Sequence, residues 1–425
     1  MCSNVQTEKS ISTTDIEEGY MKPLLTIGFH LLMLPVLAHG ATYHVAKSGS
    51  DSYTCAQAQS ASTPKLTVNG GLRCLSGRDT LIIWNGTYYE NIASGSIPSG
   101  TSSAKTIIKA ASGQIVRIRP SDGLFVLHVQ SRSHITFDGL IFDGMNVSNQ
   151  NIRVSDGSHF IRIQNSTVEN GGNACIGSAG ESVSSSNIQI VNNVIRNCGT
   201  TDGHHLVYLR TTENLVEGNR ISGAFVSSAA GAYGVRFDMS QCCSSDNNIV
   251  RYNAIFNNAS RGINVGGGTG TKVYNNLIYN NDRAADSVGG IFVGNGGVSA
   301  AEIYNNTIYG NKEYCIFIRD NTNHVVRNNI CWQNTKNSIR NDPGGSTISN
   351  NLFTDPLFVD AGNANFTLQA DSPAIDRGVT IPEISTDFVG VPRGQGAACD
   401  IGAYEYVYVS NPPARPSDLN VVTGN

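Results

Sequence analysis

The segment KVYNNLIYNN, Lys272–Asn281, returns thirty residues later as EIYNNTIYGN, Glu302–Asn311. Variants of this pattern, in which apolar positions flank an Asn-Asn pair, occur nine times along the chain. The other seven are ITFDGLIFDG, IRIQNSTVEN, IQIVNNVIRN, LVEGNRISG, IVRYNAIFNN, VVRNNICWQN and TISNNLFTDP. Anchoring them at Gly139, Ser166, Asn193, Asn219, Asn253, Asn276, Asn306, Asn329 and Asn351 gives steps of 27, 27, 26, 34, 23, 30, 23 and 22 residues. Such periodicity indicates a repeat architecture.

Each repeat alternates apolar and polar residues, which predicts short β-strands. Gly, Asn and Ser turns separate the strands, and no segment shows the 3.6-residue period of a helix, so βαβ units are excluded. A step of 22–27 residues fits one coil of a β-solenoid. The Asn column is then structural, because amides stacked every ~4.8 Å can hydrogen-bond along a ladder.

These repeats resemble the right-handed parallel β-helix family, which includes pectate-lyase-like and other polysaccharide-active proteins. The opening YHVAKSGSD…GRDTLIIWNGTYYENI and the closing DPLFVDAGNANFTLQADSPAIDRG…CDIGAYEY are similar to the two ends of secreted bacterial members, although Arg78 interrupts the usual opening motif. The resemblance covers Ala41–Tyr406. It implies an all-β fold, a single-stranded right-handed parallel β-helix of nine or more coils with an N-terminal capping helix.

The two ends of the chain carry different signals. Residues 21–40 combine Lys22, an apolar run and a small-x-small site, the pattern of a signal peptide. The run is too short and interrupted for a membrane span. Residues 1–20 are interpreted as a mis-assigned extension, with Met21 as the start. Residues 407–425 are interpreted as a Pro-rich linker or the truncated start of a further module. We therefore expect a secreted, periplasmic or cell-surface protein.

Cysteine spacing and net charge narrow the function classes. In an exported chain Cys55 and Cys74 are expected to form a disulfide that staples the N-terminal cap. The adjacent Cys242 and Cys243 suit neither a simple bridge nor a metal site, and the remaining cysteines, interpreted as buried apolar residues or scattered bridges, lack zinc-ligand spacing. A net charge of −4 without basic runs argues against nucleic acid. A monomer is expected.

A further strand lies between successive Asn anchors, and its alternation separates inward from outward residues. The inward pairs are Val207/Leu209, Val235/Phe237, Ile263/Val265, Ile291/Val293 and Ile316/Ile318. The outward residues form three columns: Tyr208, Arg236, Asn264, Phe292, Phe317 and Arg340; Arg210, Asp238, Gly266, Gly294, Arg319 and Asp342; and His205, Tyr233, Arg261, Gly289, Tyr314 and Asn337. Residues about 28 apart should therefore lie roughly 5 Å apart.

The residue types in this patch suit an acidic polysaccharide, because arginine binds carboxylates and aromatic rings stack on sugars. β-Elimination at a uronic acid needs a neutraliser, a base and an acid. The predicted catalytic residues are His205, Tyr208, Arg236 and Arg261. Arg236 is the neutraliser, assisted by Arg261 or Arg210, and His205 or Tyr208 is the base or acid. Neighbouring cations are expected to lower the pKa of Tyr208. The predicted substrate-binding residues are Arg210, Tyr233, Asp238, Asn264, Phe292, Phe317 and Arg319.

Other functions share this pattern. A uronan C5-epimerase would use the same first steps, and a glycoside hydrolase would need two carboxyl groups, for which Asp202 and Asp238 lie at opposite strand ends. A non-catalytic carbohydrate-binding or scaffold protein would need no chemistry. His205 would then only hydrogen-bond a turn, and Arg236 and Asp238 would form a surface ion pair. The resemblance allows calcium as cofactor, but the sequence has no compact acidic cluster for it.

Overall fold

The computed structural model describes residues 40–408 except residues 148, 180–182, 200–203, 226–231, 240–243, 282–287 and 295. Asp202, Cys242 and Cys243 lie outside the described residues. So do the predicted extension over residues 1–20, the predicted signal peptide apart from Gly40, and the predicted linker beyond Tyr408. The domain boundaries therefore stay predictions.

The described chain winds through three long parallel sheets, which contain 12, 10 and 10 strands. Each circuit adds one strand to each sheet, and neighbouring strands pair in parallel register. The predicted all-β parallel β-helix is confirmed. No helix among the described residues is long and apolar enough to cross a membrane.

The strand bounds follow the sheets. The first sheet contains β1 Thr42–Val45, β2 Thr80–Ile83, β5 Thr106–Ala110, β8 Ser133–Asp138, β11 His159–Gln164, β14 Ser186–Val191, β17 Leu215–Glu217, β20 Ile249–Arg251, β23 Lys272–Tyr274, β26 Glu302–Tyr304, β29 Val325–Arg327 and β32 Thr347–Ser349. The second contains β3 Gly86–Tyr89, β6 Val116–Arg119, β9 Ile141–Asp143, β12 Thr167–Glu169, β15 Val194–Arg196, β18 Arg220–Ser222, β21 Ala254–Phe256, β24 Leu277–Tyr279, β27 Thr307–Tyr309 and β30 Ile330–Trp332. The third contains β4 Ile92–Ala93, β7 Phe125–Gln130, β10 Gln150–Ser155, β13 Ala174–Ala179, β16 Val207–Leu209, β19 Val235–Phe237, β22 Ile263–Val265, β25 Ile291–Val293, β28 Tyr314–Ile318 and β31 Lys336–Asn341.

The remaining elements are short. An α-helix, α1 Val68–Leu72, begins after Thr67, whose side chain accepts a hydrogen bond from the Gly70 amide. Three 3₁₀ turns cover Gln57–Gln59, Ser94–Ser96 and Ala361–Asn363, and β33 Phe358–Asp360 pairs antiparallel with β34 Asn365–Leu368. Within this closing segment Phe366 packs 5.2 Å from the Tyr279 ring of the second sheet.

Eight of the nine repeats span two strands, where the sequence pattern predicts one, and the last, TISNNLFTDP, contains only β32. In KVYNNLIYNN the first strand is β23 and the second is β24. Asn275 turns the chain between them in the left-handed region, with φ of 50°. Asparagine tolerates this conformation better than most residues. Asn276 then points inward, so the two asparagines of the pair have different roles.

The predicted amide ladder is confirmed. The Asn276 side-chain oxygen accepts from the Asn253 amide and side chain, both at 3.0 Å, and its nitrogen donates to Asn306 Oδ1 at 2.9 Å. The structure adds a second ladder at the next turn, where Asn258 donates to Asn281 and Asn281 to Asn311. Both ladders supply partners to backbone groups that the turns leave inside the coil.

The predicted inward residues of the third sheet lie in the core. Val207, Leu209, Val235 and Phe237 are each 0% exposed, as are their equivalents in the next three coils. The core is continuous from coil to coil. The inward side of this sheet is therefore fixed by packing, and its alternate residues face outward.

Three disulfides lie within the described residues. Cys55 pairs with Cys74, as expected from the sequence, Cys175 with Cys198, and Cys315 with Cys331. Cys399 is a buried free thiol. The bridges join residues 16 to 23 apart, so each one ties together neighbouring parts of the chain.

Candidate functional site

The outward face of the third sheet brings the predicted residues together in the predicted register. Tyr208 on β16 pairs with Arg236 on β19, which pairs with Asn264 on β22. The next partners are Phe292 and Phe317. The sequence-derived column is therefore confirmed, whereas the exposure of its residues is known only from the structure.

The Tyr208 hydroxyl is the centre of a hydrogen-bond network. It accepts from Arg210, whose Nε lies 2.7 Å away and whose Nη2 also contacts it. It lies 3.2 Å from Asp238 Oδ2, to which it donates. Asp238 also accepts from Arg236 Nη2 at 2.6 Å and from the Met239 amide at 3.1 Å. Asp238 is therefore held by three donors.

Arg236 lies between two tyrosine rings. Its guanidinium carbon is 5.3 Å from the Tyr208 centroid and 5.6 Å from the Tyr233 centroid, within cation–π distance. Nη2 pairs with Asp238, and Nη1 is 3.0 Å from His205 Nε2. Its buried Nε has no hydrogen-bond partner. About a quarter of the side chain, 23%, is exposed.

His205 is 1% exposed and stacks on Tyr233, with centroids 4.4 Å apart and an interplanar angle of 8°. Its Nδ1 accepts the Tyr233 backbone N–H at 3.2 Å. Burial, followed by the charges of Arg236 and other nearby cations, lowers the pKa of His205 well below its ordinary value. The imidazole is therefore neutral at physiological pH.

The pKa of Tyr208 is raised, which corrects the sequence-based expectation. The arginines at positions 210 and 236 do lower it, but burial acts in the opposite direction and is the larger effect. Desolvation disfavours the charged phenolate. Tyr208 is therefore a neutral phenol that needs an acceptor for its proton, and Asp238 is within hydrogen-bond distance.

Arg261 and Asn264 lie one coil further on and are buried, at 9% and 0% exposure. Arg261 Nη1 donates to Asn264 Oδ1 at 2.6 Å, and the guanidinium lies over the rings of Tyr233 and Phe292, at 4.8 and 4.1 Å. Arg261 therefore packs against the Tyr233 ring and is not among the residues that line the cavity described below.

The two phenylalanines lie further from this network. Phe292 is 1% and Phe317 8% exposed, and they pack with Val288 and Tyr314. Neither ring offers a free face for a sugar, because both face outward but are covered by neighbouring residues. Arg319 is exposed at the end of β28, three coils beyond β19.

A cavity of about 480 Å³ opens over β13, β16 and β19. The described residues that line it are Gln150, Asn173, Ala174, Ser178, His204, His205, Tyr208, Arg210, Arg236 and Asp238. Sequence reasoning missed Gln150, Asn173, Ala174 and Ser178, which come from earlier coils. Gly177 pairs with Tyr208 and Arg153 pairs with Gly177, so these two residues continue the Tyr208 column into the preceding coils. Extending the sequence-derived column in that direction would have led to this side of the cavity.

The described residues contain no group of three or more His, Cys, Asp or Glu side chains arranged to hold a metal ion. Asp238 is the one carboxylate among the described residues that line the cavity. The chemistry of the cavity is thus that of cations, aromatic rings and one carboxylate.

Comparisons with known proteins agree with this architecture. The model of a right handed beta helix region matches residues 125–297. A structure of the pectate lyase Pel9A aligns with a TM-score of 0.61 at 16% identity, covering 86% of this chain and 96% of that chain. A complex of XylC with xylose aligns at 0.54 and 12% identity, over 86% and 99%. The sequence matches none of the curated proteins. This chain is therefore a right-handed parallel β-helix with the pectate-lyase-like fold.

Proposed function

We propose that this protein is an exported lyase that cleaves an acidic, uronic-acid-containing polysaccharide by β-elimination. The observation that carries the proposal is Arg236, a partly exposed guanidinium that lines the cavity and lies over the Tyr208 ring. The pectate lyase among the structural neighbours is 16% identical, so this likeness supports the fold alone. The activity is therefore argued from the site.

In the proposed reaction Arg236 binds the uronate carboxylate, which makes the C5 proton more acidic. The Tyr208 oxygen takes the C5 proton while its own proton passes to Asp238. The C4–O bond breaks, a C4=C5 double bond forms, and the leaving oxygen takes a proton back from the same pair. Arg210 stabilises the negative charge that develops on the Tyr208 oxygen.

A lyase suits the cavity better than a hydrolase. Glycosidases use two carboxyl groups about 5–9.5 Å apart, and the described residues lining the cavity include only Asp238. Export is supported by the three disulfides, which persist in oxidising compartments. Mass spectrometry of the protein purified without reductant would show these bridges.

The test is a substrate screen over polygalacturonate, alginate, glucuronan and glycosaminoglycans, followed by ultraviolet absorbance of unsaturated chain ends. With the active polymer, Arg236→Ala should lower the rate roughly 100-fold, the scale for losing one donor to developing charge. Tyr208→Phe should lower it by at least as much, because the proton acceptor is lost.

Arg340→Ala is the matched control. Arg340 occupies the same column, pairs with Asp342 two residues later and lies over two aromatic rings, but it is on β31, four coils beyond Arg236. Its rate should be unchanged. A rate that survives Arg236→Ala would refute the assignment. Deuterium uptake at C5 without new absorbance would indicate an epimerase, and binding without either signal would indicate a binding protein.

A further inference from the structure

His205 has a donor at each ring nitrogen. Nδ1 faces the Tyr233 backbone N–H at 3.2 Å, and Nε2 faces Arg236 Nη1 at 3.0 Å. A neutral imidazole has one N–H and one acceptor nitrogen, so it can accept only one of these hydrogen bonds. One of the two contacts therefore brings two donors together.

The backbone decides which contact that is. The Tyr233 N–H belongs to the main chain that leads into β19, whereas the Arg236 guanidinium is held by side-chain contacts. The tautomer with His205 Nδ1 as acceptor and Nε2 protonated therefore satisfies the less movable of the two donors. The stacking on Tyr233 holds the ring in this orientation. Guanidinium nitrogens cannot accept, so the Nε2 proton and an Arg236 Nη1 proton both need an acceptor.

From this geometry we infer that His205 and Arg236 form a two-donor fork for the carboxylate of a uronic acid, in which His205 only donates and transfers no proton. The inference rests on the proposed function, since it names the group of the polysaccharide that this cavity recognises. Both residues line the cavity, and the fork would receive an anionic oxygen at the cavity wall. His205 is therefore a substrate-binding residue, and proton transfer is left to Tyr208.

The number of available donors favours a carboxylate over a sulfate. Arg236 Nη2 is already paired with Asp238 and Nε is buried, which leaves Nη1 and His205 Nε2 for the ligand. Two donors suit a planar group with two oxygens, whereas a sulfate would leave further oxygens facing the Asp238 carboxylate. Asp238 thus restricts the size of the anion as well as orienting Arg236.

The first experiment follows the His205 ring nitrogens by NMR in the full chain labelled with ¹⁵N-histidine, assigned with His205→Gln. We expect the Nε2–H tautomer at neutral pH and no titration near the ordinary histidine pKa. D-Galacturonate and D-glucuronate should shift the Nε2–H resonance, and galactose and glucose at equal concentration should not. A ring protonated at Nδ1, a titration near the ordinary histidine pKa, or no response to the uronates would overturn the inference. A shift from inorganic sulfate as large as that from the uronates would overturn the carboxylate assignment.

The second experiment separates a donor from a proton-transfer group. The amide nitrogen of glutamine can donate from near the Nε2 position but cannot act as base or acid. His205→Gln should therefore keep the rate of the lyase reaction within about tenfold, whereas His205→Ala should weaken uronate binding roughly 10- to 100-fold, seen mainly in KM. An inactive His205→Gln with native circular dichroism would show that His205 transfers a proton.

The two experiments distinguish the failure of the fork from the failure of the lyase. Uronate-specific shifts at His205 without any unsaturated product would leave the fork intact and refute the lyase. If the protein forms unsaturated product but His205 titrates, or the His205→Gln variant is inactive, the fork is refuted and the proposed lyase activity is not.

Discussion

Replacing Asn276 by alanine tests whether the amide ladder stabilises the coil. The Asn276 side chain accepts from the Asn253 backbone N–H and side chain, and donates to Val250 O at 2.9 Å and Asn306 Oδ1 at 2.9 Å. In Asn276→Ala the side chain of Asn253 keeps two other acceptors, Val216 O and Arg251 O. The Asn253 N–H loses its hydrogen-bond acceptor, Asn276 Oδ1. Asn276 is 0% exposed, so water does not replace this acceptor.

The expected cost follows from this inventory. One orphaned buried donor costs about 1–3 kcal/mol, and each further lost hydrogen bond about 0.5–1.5 kcal/mol. We therefore expect the free energy of unfolding to fall by about 3 kcal/mol. Asn276→Asp keeps the acceptor for Asn253 but turns the donor toward Asn306 Oδ1 into an anionic oxygen, so it should destabilise at neutral pH and recover in acid as the carboxyl is protonated.

Equilibrium urea unfolding, followed by circular dichroism and by tryptophan fluorescence, measures the change. Asn85→Ala is the control, because Asn85 is exposed and should change stability by about 0.5 kcal/mol or less. Equal midpoints for Asn276→Ala and Asn85→Ala would refute the reasoning that buried amide ladders stabilise this solenoid.

Two further predictions concern buried carboxylates. Burial raises the pKa of Asp400 from 3.8 to about 6, so between these two pH values the folded chain holds a proton that the unfolded chain releases. Asp400 therefore contributes fully to the free energy of unfolding below its unfolded pKa. That contribution, about 3 kcal/mol, is lost as the pH rises through the folded pKa. Urea unfolding of wild type and Asp400→Asn on both sides of this window should show that difference only in the wild type, and parallel pH curves would contradict it. Glu169 is 5% exposed and bridges Arg117 and Arg196 at 2.6 and 2.7 Å, so Glu169→Gln should lower the free energy of unfolding by about 2 kcal/mol. The control Glu383→Gln removes an exposed ion pair with Lys272 and should cost about 0.5 kcal/mol or less; equal costs would show that burial adds nothing.

The sequence predicted the columns of the third sheet because strand alternation is a local rule with a period of two. Once the Asn anchors set the coil length, the pairing of Tyr208 with Arg236 followed without any tertiary information. The same logic failed at Phe292, since alternation states which way a side chain points and not whether a neighbouring segment covers it.

The chemistry of the site depended on contacts that the repeat does not encode. Gln150 and Asn173 come from coils that lie outside the aligned strands, and they enter the cavity only through stacking. The pKa of Tyr208 required a comparison of burial with charge, and burial prevailed. His205 was recognisable as a polar residue near arginines, but the groups that contact its two ring nitrogens, the Tyr233 N–H and Arg236 Nη1, were found only in the structure.

The sequence by itself therefore determined the β-helix, its coil length, its amide ladder and the register of its outward columns, because each is a repeated local pattern. Only the tertiary structure decided which outward residues are accessible, that the Tyr208 hydroxyl donates to Asp238, and which groups contact the two ring nitrogens of His205. Burial and hydrogen-bond geometry arise from segments that meet only when the coils stack, so no single repeat contains them.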